Sequence, residues 1–341
     1  MNAGTASTGL KIAVFRGLYL GDLIAATPAL RALRHGYPGA EITLVSLPWA
    51  TALAPHLSGL VDRFLSYPGA PGLDGGGSEE DLQRFLMQMR AERFDLAINM
   101  HGRGPTSTRL VARFGARETA SFVGGEEDGV PDLDITVPWD AEAHESRKLL
   151  RLAEKAGGIS TGAAGGTEPE LRVYEEDYRR SSTLLPTGPR KPVALVHPGA
   201  SIPDKRWPDE DFGRVADGLV RWGYTVAVTG SAGEKKLTRR VSEAAPGSLD
   251  LGGATDLSTL IALVARASIL VSNDTGPAHL AYALKIPTVT LFWPSTDADR
   301  WGPLDRKRHA VLRGEHISDI SVTDVLGSIE ALTVEREWVG V

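Results

Sequence analysis

Short apolar runs alternate with amphipathic stretches along most of the chain, and this alternation constrains the fold more than any other feature. Runs of roughly 4–8 apolar residues are typical of buried strands, and the stretches between them have helical spacing. Strands that alternate with helices favour parallel sheets covered by helices. We therefore predict an α/β protein.

The predicted strands form two series, separated by low-complexity segments. They cover Lys11–Phe15, Ile42–Leu47, Phe94–Met100 and Asp134–Trp139 in the first series, and Pro192–His197, Thr225–Thr229, Ser268–Asn273 and Thr288–Trp293 in the second. Helices are predicted at His144–Ala156, Asp209–Trp222, Glu234–Ala244 and Leu257–Ala267. The glycine-rich stretch Gly69–Ser78 predicts a surface loop. Two Rossmann-like doubly wound domains that face a central cleft are the simplest architecture.

The length of 341 residues is enough for two domains, each with its own core. The stretch Gly157–Gly166 is typical of an interdomain connection, and Pro186–Pro192 is a second break just after it. We predict an N-terminal Rossmann-like domain over residues 1–165 and a linker over 166–191. A second Rossmann-like domain then covers 192–315, and a C-terminal segment covers 316–341.

The composition excludes several classes of function. The chain has no cysteine, which removes disulfides, thiolate catalysis and cysteine-based zinc sites. Its formal net charge of -6 gives no basic excess that would attract a nucleic-acid backbone. No apolar run approaches the ~18 residues of a membrane span, and Met1–Gly9 lacks the regions of a signal peptide. We expect a cytoplasmic protein with no nucleic-acid partner.

Ligands of open parallel sheets bind beyond the carboxyl ends of the strands, so the strand-to-helix turns are the candidate sites. The first of these turns runs from Phe15 to Asp22. Gly17 and Gly21 in this turn permit close approach to the backbone. Asp22 is either a functional carboxylate at the lip of the cleft or the cap of a helix.

The second turn, His197–Pro208, combines small residues with Lys205 and Arg206. Backbone N–H groups in such a turn can surround phosphate oxygens while an ammonium group neutralises their charge. The alternative is that both basic residues are solvated surface charges.

The third turn follows an apolar strand and reads Asn273-Asp274-Thr275-Gly276-Pro277-Ala278-His279. Asp274 or Thr275 can cap the next helix, and Pro277 suits its first turn. Since a helix N-terminus carries a partial positive charge and free N–H donors, a diphosphate can bind there. A purely structural helix would explain these residues but not His279.

In this order and spacing, the three turns resemble those of glycosyltransferase family 9, the ADP-heptose:lipopolysaccharide heptosyltransferases. The resemblance extends from about Lys11 to Pro303. Its motifs are RGLYLGD with TPALRALR near the start, then HPGAS-x3-KRWP, VTGSAGE, LGGATDL and NDTGPAH. The segment Gly17-Leu18-Tyr19 departs from the small, serine-like residues that are common in the family.

The resemblance implies a GT-B fold in which the first domain binds the acceptor and the second binds the donor. It implies that Asp22 is the catalytic base and that the C-terminal helix Ser321–Leu332 returns toward the first domain. The implied donor-binding residues are Ser201, Lys205, Glu234, Thr255, Asp274, Thr275, Gly276 and His279. Thr229, at the end of a predicted strand, is a further candidate for donor binding. The candidates on the acceptor side are Arg16, Gly21, His101 and Arg103.

The predicted activity is therefore inverting transfer of a heptose-type sugar from an ADP-sugar substrate. The acceptor is lipopolysaccharide core, or else a soluble natural-product sugar, aminocyclitol or nucleoside. Membrane contact is expected only for a lipid-linked acceptor, for which Arg103, Arg109, Arg113 and Arg117 are available; the alternative is that these arginines form a solvated helix face. No cofactor is required in this prediction.

Two other functions remain open, a non-catalytic nucleotide-sugar binding protein on the same scaffold and an NAD-dependent oxidoreductase. The second depends on Gly102–Ser107, which lacks the third glycine of a dinucleotide fingerprint. P-loop, GxSxG and HExxH motifs are absent. Asp297 and Asp299 resemble the metal-binding DxD of other glycosyltransferases, but we predict no metal site, although Mg²⁺ remains possible.

Overall fold

The computed structural model describes residues 9–70, 73, 76–124, 132–161, 166–186 and 191–337. The chain divides into two compact units, Met1–Arg172 and Val173–Val341. Each unit contains one six-stranded sheet in which all paired strands run parallel. The predicted α/β class with two Rossmann-like units is confirmed.

The first unit contains six strands and five α-helices among its described residues. These are β1 (Lys11–Phe15), α1 (Leu20–Ala25), α2 (Thr27–Gly36), β2 (Glu41–Ser46), β3 (Arg63–Ser66), α3 (Glu79–Glu92), β4 (Leu96–Asn99), α4 (Pro105–Ala112), β5 (Glu118–Val123), β6 (Ile135–Pro138) and α5 (Glu145–Lys155). The strand order is β3-β2-β1-β4-β5-β6. One apolar cluster of this unit includes Phe15, Tyr67, Phe85 and Phe114.

The second unit has the same topology. Its elements are α6 (Glu175–Ser182), β7 (Val193–His197), α7 (Asp209–Arg221), β8 (Thr225–Gly230), α8 (Lys235–Glu243), β9 (Leu249–Gly252), α9 (Leu257–Arg266), β10 (Ile269–Asn273), α10 (Gly276–Ala283), β11 (Thr288–Phe292), α11 (Ala298–Trp301), β12 (His309–Arg313) and α12 (Val322–Glu337). The strand order β9-β8-β7-β10-β11-β12 repeats that of the first sheet. Both sheets are therefore doubly wound, with the strand order of a classical Rossmann fold.

Two segments differ in detail from their sequence-based description. The predicted linker over 166–191 contains helix α6, which packs on α9. The C-terminal helix α12 packs on α7, β11 and β12 and contributes Val325 and Ile329 to the core of the second unit. The return of this helix toward the first domain stays a prediction. Parts of Gly69–Ser78, Gly157–Gly166 and Pro186–Pro192, and the Met1–Gly9 segment up to residue 8, lie outside the described residues.

No helix in the described part of the chain has both the length and the apolar character needed to cross a bilayer. Helix α10 is almost entirely buried, which agrees with the apolar residues around its whole circumference. The burial of α10 fixes the position of its N-terminus, where the third turn ends.

Candidate functional site

The strand order reverses at the same place in both sheets. In the first sheet this point lies between β1 and β4, where Phe15 pairs with Asn99. In the second it lies between β7 and β10, where His197 pairs with Ser272. Because ligands of doubly wound sheets bind beyond the strand ends at this point, the turns after β1 and β4 are the candidate binding region of the first unit, and the turns after β7 and β10 are that of the second unit. Three of the four are the turns singled out from the sequence.

Asp22 lies in the first turn of α1 and caps that helix. Its Oδ2 accepts a hydrogen bond of 3.2 Å from the backbone N–H of Tyr19. Its Oδ1 lies 3.4 Å from a terminal nitrogen of Arg16. The side chain nevertheless keeps 17% of its surface exposed. Asp22 is therefore a helix cap whose carboxylate is also partly accessible to solvent.

Arg16 has no exposed surface, although we predict it among the acceptor-side candidates. Its Nε donates to the main-chain oxygen of Asp22 at 2.6 Å, and one terminal nitrogen donates to the main-chain oxygen of Met100. The other terminal nitrogen lies 3.2 Å from Glu145 Oε1. Direct contact with an acceptor is unavailable to this buried guanidinium, and its partners all belong to the first unit.

His101 contacts the first turn through Gly17 and Phe15. The N–H of Gly17 donates to His101 Nδ1 at 3.2 Å, and the imidazole stacks on Phe15 with ring centres 5.1 Å apart. A Cβ at Gly17 would lie 3.1 Å from the ring of Tyr67, so the close approach here is to the protein itself. Gly21 lies in the first turn of α1.

Arg103 is exposed, and its guanidinium carbon lies 5.9 Å from the ring centre of Trp139. The other arginines of this region do not form one basic face. Arg109 and Arg113 line a cavity of about 320 Å³ together with apolar side chains such as Leu82 and Leu110. Arg117 instead pairs with Asp95 at 3.0 Å.

Asn273, at the end of β10, joins two turns of the second unit. Its side-chain amide donates to the main-chain oxygens of Pro198 at 2.9 Å and Gly199 at 3.3 Å. Its Oδ1 accepts the backbone N–H of the buried Trp207 at 3.0 Å. The turn that carries Lys205 is thereby held beside the turn that opens α10.

Lys205 and Arg206 have different roles despite being neighbours. The guanidinium of Arg206 donates twice to the main-chain oxygen of Ala200, at 3.0 and 2.7 Å, and lies 3.8 Å from Glu234 Oε1. Arg206 therefore stabilises the turn itself. Lys205 is half-buried at the end of a short 3₁₀ turn, and its charge favours the ionised form of Asp274.

Glu234 closes the loop after β8. Its Oε2 accepts hydrogen bonds from the backbone N–H of Ser231 at 2.8 Å and from the Ser231 hydroxyl at 2.7 Å. Burial raises the pKa of Glu234, but the hydrogen bonds from Ser231 and the nearby positive charges outweigh it and lower the pKa overall. A Cβ at Gly199 would overlap Oε1, so a larger residue at this position would displace the carboxylate from its place beside Ser231.

Thr229 is buried, and its hydroxyl hydrogen-bonds to His197 Nδ1 at 3.0 Å. Burial lowers the pKa of His197 to about 4, so its imidazole is neutral near pH 7. Thr229 thus supports the end of β7, and the direct donor contact that we predict for it is not available to its buried hydroxyl.

The remaining predicted donor residues lie on loops. Ser201 is exposed after β7, and Thr255 is half-buried just before Asp256, which caps α9 through a 2.7 Å hydrogen bond from the N–H of Thr259. The N–H of Gly253 donates to the main-chain oxygen of Gly230 at 2.8 Å. This bond holds the loops after β8 and β9 together.

The third turn places the largely buried carboxylate of Asp274 next to the N-terminus of α10. Burial raises the pKa of Asp274, while His279 and Lys205 act in the opposite direction. His279 Nε2 lies 3.8 Å from Asp274 Oδ1.

Thr275 is the N-cap residue of α10, and Gly276 is the first residue of the helix. Pro277 has no N–H, and the N–H groups of Ala278 and His279 bond back to the main-chain oxygen of Thr275. Gly276 therefore offers the first-turn N–H that an anion can use.

The DxD-like pair has a structural role. Asp297 caps α11 by accepting hydrogen bonds from the backbone N–H groups of Asp299 at 2.8 Å and Arg300 at 3.2 Å. Asp299 lies 3.4 Å from both Arg306 and Arg313. Across the described ranges, no three His, Asp or Glu side chains are grouped closely enough to hold a metal ion.

Sequence reasoning missed Glu145 and Lys148 of α5. Glu145 Oε1 lies 3.2 Å from Arg16, and Oε2 lies 3.1 Å from Lys148 Nζ. Both charged residues are buried on the side of α5 that also carries Leu149 and Leu152. Charged residues on the apolar face of an amphipathic helix were the signal that could have identified them.

A family model described as glycosyltransferase family 9 (heptosyltransferase) matches residues 82–328. Lipopolysaccharide heptosyltransferase 2 of Escherichia coli (strain K12) is 27% identical, and the match covers 96% of this chain and 100% of that protein. Lipooligosaccharide heptosyltransferase 2 of Haemophilus influenzae is 33% identical over 84% of each chain. The matches extend over both units.

The solved structure of E. coli ADP-heptose lps heptosyltransferase II has the same fold. Its TM-score to this chain is 0.78 at 23% sequence identity, and the superposition covers 96% of this chain and 100% of that one. The predicted GT-B class is thereby confirmed. With a family model that matches more than half of its length, this chain belongs to glycosyltransferase family 9 and is a glycosyltransferase of the heptosyltransferase family.

Proposed function

We propose that this chain transfers a heptose-type sugar from an ADP-sugar to an acceptor hydroxyl with inversion at the anomeric carbon. The observation that carries the proposal is the pair of turns joined by Asn273, which places the basic segment with Lys205 beside the N-terminus of α10. The similar E. coli structure is that of an ADP-heptose lipopolysaccharide heptosyltransferase, which favours ADP as the nucleotide.

The second unit would bind the donor diphosphate. Negative charge grows on this leaving group as the bond to the sugar breaks. The Lys205 ammonium and the Gly276 N–H at the positive end of α10 can stabilise that charge without a metal ion. We therefore propose that the enzyme requires no cofactor, and that added Mg²⁺ is not essential.

Polar side chains around this anion site would bind the rest of the donor. Glu234 retains acceptor capacity in Oε1, which suits sugar hydroxyl groups. We assign further donor contacts to Ser201, Thr255, Asp274, Thr275 and His279.

Asp22 would act as general base for the acceptor. An attacking hydroxyl must lose its proton as it bonds to the anomeric carbon, and a positioned carboxylate contributes roughly 10²–10⁴-fold to the rate of such a step. Asp22 has an exposed portion next to a fixed backbone, which supports this role. The remaining acceptor-side candidates are Gly21, His101 and Arg103.

We propose lipopolysaccharide inner core as the acceptor class, because the full-length E. coli relative is a lipopolysaccharide heptosyltransferase. The cavity beside Arg109 and Arg113 is lined by these two guanidinium groups, by Glu79 and by apolar side chains, which suits an amphiphile with charged groups. A soluble natural-product acceptor would not need this combination. A cytoplasmic location, with membrane contact only through a lipid-linked acceptor, completes the proposal.

The test compares thermal shifts of the purified protein with ADP, UDP, GDP, CDP, dTDP and NAD, and then measures transfer from ADP-heptose to truncated lipopolysaccharide. Selective stabilisation by ADP, together with a product whose anomeric configuration is opposite to that of the donor sugar, supports the proposal. Preference for another nucleoside diphosphate would overturn the donor. ADP binding without any transfer would instead favour a non-catalytic binding protein.

The base is tested separately with Asp22→Asn. We expect this variant to bind ADP normally and to lose at least about a hundredfold in turnover. Turnover close to that of the wild type would remove Asp22 from the mechanism.

A further inference from the structure

A chain of four alternating charges leads from the interior of the first unit to Asp22. Lys148 Nζ lies 3.1 Å from Glu145 Oε2, Glu145 Oε1 lies 3.2 Å from Arg16, and Arg16 lies 3.4 Å from Asp22 Oδ1. The exposed side-chain fractions are 1% for Lys148, 5% for Glu145, 0% for Arg16 and 17% for Asp22. This row of side chains contains two positive and two negative groups.

Stability alone is a poor explanation for this arrangement. Removing several charges from water has a large desolvation penalty, and replacing a buried ion pair with apolar residues is often neutral or stabilising. The buried charges instead form a connected row whose most exposed member is the proposed base. An arrangement of this kind can set the geometry and the proton affinity of that member.

We propose that Arg16, Glu145 and Lys148 are positioning residues that fix the orientation and the basicity of the Asp22 carboxylate. The inference rests on the proposed role of Asp22 as general base. None of the three needs to touch a substrate.

Arg16 fixes the orientation. Its Nε donates to the Asp22 main-chain oxygen at 2.6 Å while a terminal nitrogen faces Oδ1 of the same residue. Tyr19 N–H donates to Oδ2, so contacts on both carboxylate oxygens restrict rotation of the group. The remaining terminal nitrogen donates to Met100 O, at the end of β4.

Glu145 and Lys148 set how strongly Arg16 acts on Asp22. The guanidinium is shared between two carboxylates and lies slightly closer to Glu145 than to Asp22. Lys148 fixes Glu145 in turn, and its ammonium lies 4.2 Å from the ring centre of Trp139. A positive charge close to a carboxylate favours its ionised form and makes it a weaker base. The negative charge of Glu145 partly offsets the positive charge of Arg16, so the pKa of Asp22 stays higher than it would beside Arg16 alone.

This arrangement predicts opposite effects for two neutralising substitutions. In Glu145→Gln, the full guanidinium charge acts on Asp22, and the acid limb of the kcat/KM–pH profile moves to lower pH by about half to one unit. In Lys148→Met, the negative charge of Glu145 is less compensated, and the limb moves to higher pH. Neither substitution replaces His101, a titratable side chain that accepts a hydrogen bond from the Gly17 N–H in the same turn.

The experiment records kcat/KM against pH for transfer from ADP-heptose to truncated lipopolysaccharide, with thermal melting and ADP affinity as folding controls. Glu92→Gln is the matched control, because Glu92 also pairs with an arginine, Arg63 at 2.8 Å, in the same unit. We expect the acid limb to shift in opposite directions in Glu145→Gln and Lys148→Met, while both variants keep the ADP affinity of the wild type. In Glu145→Gln we also expect a roughly ten- to hundredfold loss of kcat. The pH profile of the control Glu92→Gln should not shift.

Shifts of the same sign, or no shift, in variants that fold and bind ADP would overturn the inference while leaving Asp22 as the base. If Glu145→Gln or Lys148→Met fails to fold, Glu145→Asp and Lys148→Arg replace them, since these keep the charges but shorten or widen the contacts. Loss of kcat with an unshifted limb then supports positioning, and wild-type kcat overturns it. Near-normal turnover of Asp22→Asn would instead remove the proposed base, and with it the inference.

Discussion

Asn273, at the end of β10, donates a 2.9 Å hydrogen bond from its side-chain amide to the main-chain oxygen of Pro198, the first residue after β7. The two strands are neighbours at the point where the order of the second sheet reverses. A single side chain therefore connects the two turns to which we assign the donor diphosphate, and it fixes their relative position without a ligand.

Asn273→Ala should destabilise the second unit and weaken ADP binding together. The substitution leaves Pro198 O and the buried Trp207 N–H without their partner, at a cost of about 2–4 kcal/mol in the free energy of unfolding. Urea unfolding and ADP titration measure the two effects. Asn99→Ala is the control, since Asn99 ends the topologically equivalent strand β4 and bonds to Ser107 and Ser121. It should lose stability but retain ADP affinity.

Gly199→Ala should displace the Glu234 carboxylate. The added Cβ would overlap Oε1, so Glu234 must move and its hydrogen bonds from Ser231 must weaken. We expect a loss of about 1–3 kcal/mol in the free energy of unfolding and a lower donor affinity. Gly233→Ala is the matched control, because the nearest atom to its added Cβ is 3.9 Å away. Equal effects of the two substitutions would contradict the steric argument.

Most interior strands of both sheets could be predicted from the sequence, but three of the four edge strands could not; the exception is the edge strand β6, predicted as Asp134–Trp139. Central strands such as β1, β7 and β10 are continuous apolar runs because both faces are buried. The unpredicted strands β3, β9 and β12 lie at sheet edges and are only partly buried, so their apolar pattern is weak. Strand β5 is interior, but it buries the polar Thr119 and Ser121.

The candidate site was predictable only where the signal is local. Asp22, Lys205 and Asp274 lie in the segments that connect a strand to the next helix or at the start of that helix, and short sequence patterns reveal them. Glu145 is 129 residues from Arg16, and no local pattern links a helix-start glutamate to a distant arginine. Asn273 could be assigned to a motif, but its role in joining two turns depends on the pairing of β10 with β7.

Acidification should destabilise the second unit through two buried histidines. Burial lowers the pKa of both His197 and His309 to about 4, below the usual value of 6.5. Because the unfolded chain binds these protons more readily, the stabilisation is complete above pH 6.5 and is lost as the pH falls toward 4. At pH 5 the shifted pKa of each histidine then lowers the free energy of unfolding by about 2 kcal/mol relative to neutral pH.

His309→Phe tests this linkage, because the side chain is buried and its ring packs against Tyr282 at 5.0 Å. The free energy of unfolding should fall by about 2 kcal/mol less in the variant than in the wild type between pH 7 and pH 5. Between pH 7 and pH 8 the two proteins should show the same pH dependence. If the free energy of unfolding falls by the same amount in both proteins between pH 7 and pH 5, His309 does not contribute to the acid destabilisation.

The last prediction separates the two basic neighbours of the second turn. Lys205→Met removes a half-buried ammonium group near Asp274 without breaking a main-chain contact, so it should weaken ADP binding about ten- to a hundredfold and leave the melting temperature nearly unchanged. Arg206→Met removes two hydrogen bonds to Ala200 O, so it should lower the melting temperature as well as the ADP affinity. Calorimetric titration with ADP and thermal melting measure both quantities. If Lys205→Met binds ADP like the wild type, the positive charge that stabilises the leaving group must come from another residue, whereas a large loss of stability in that variant would make Lys205 a structural residue like Arg206.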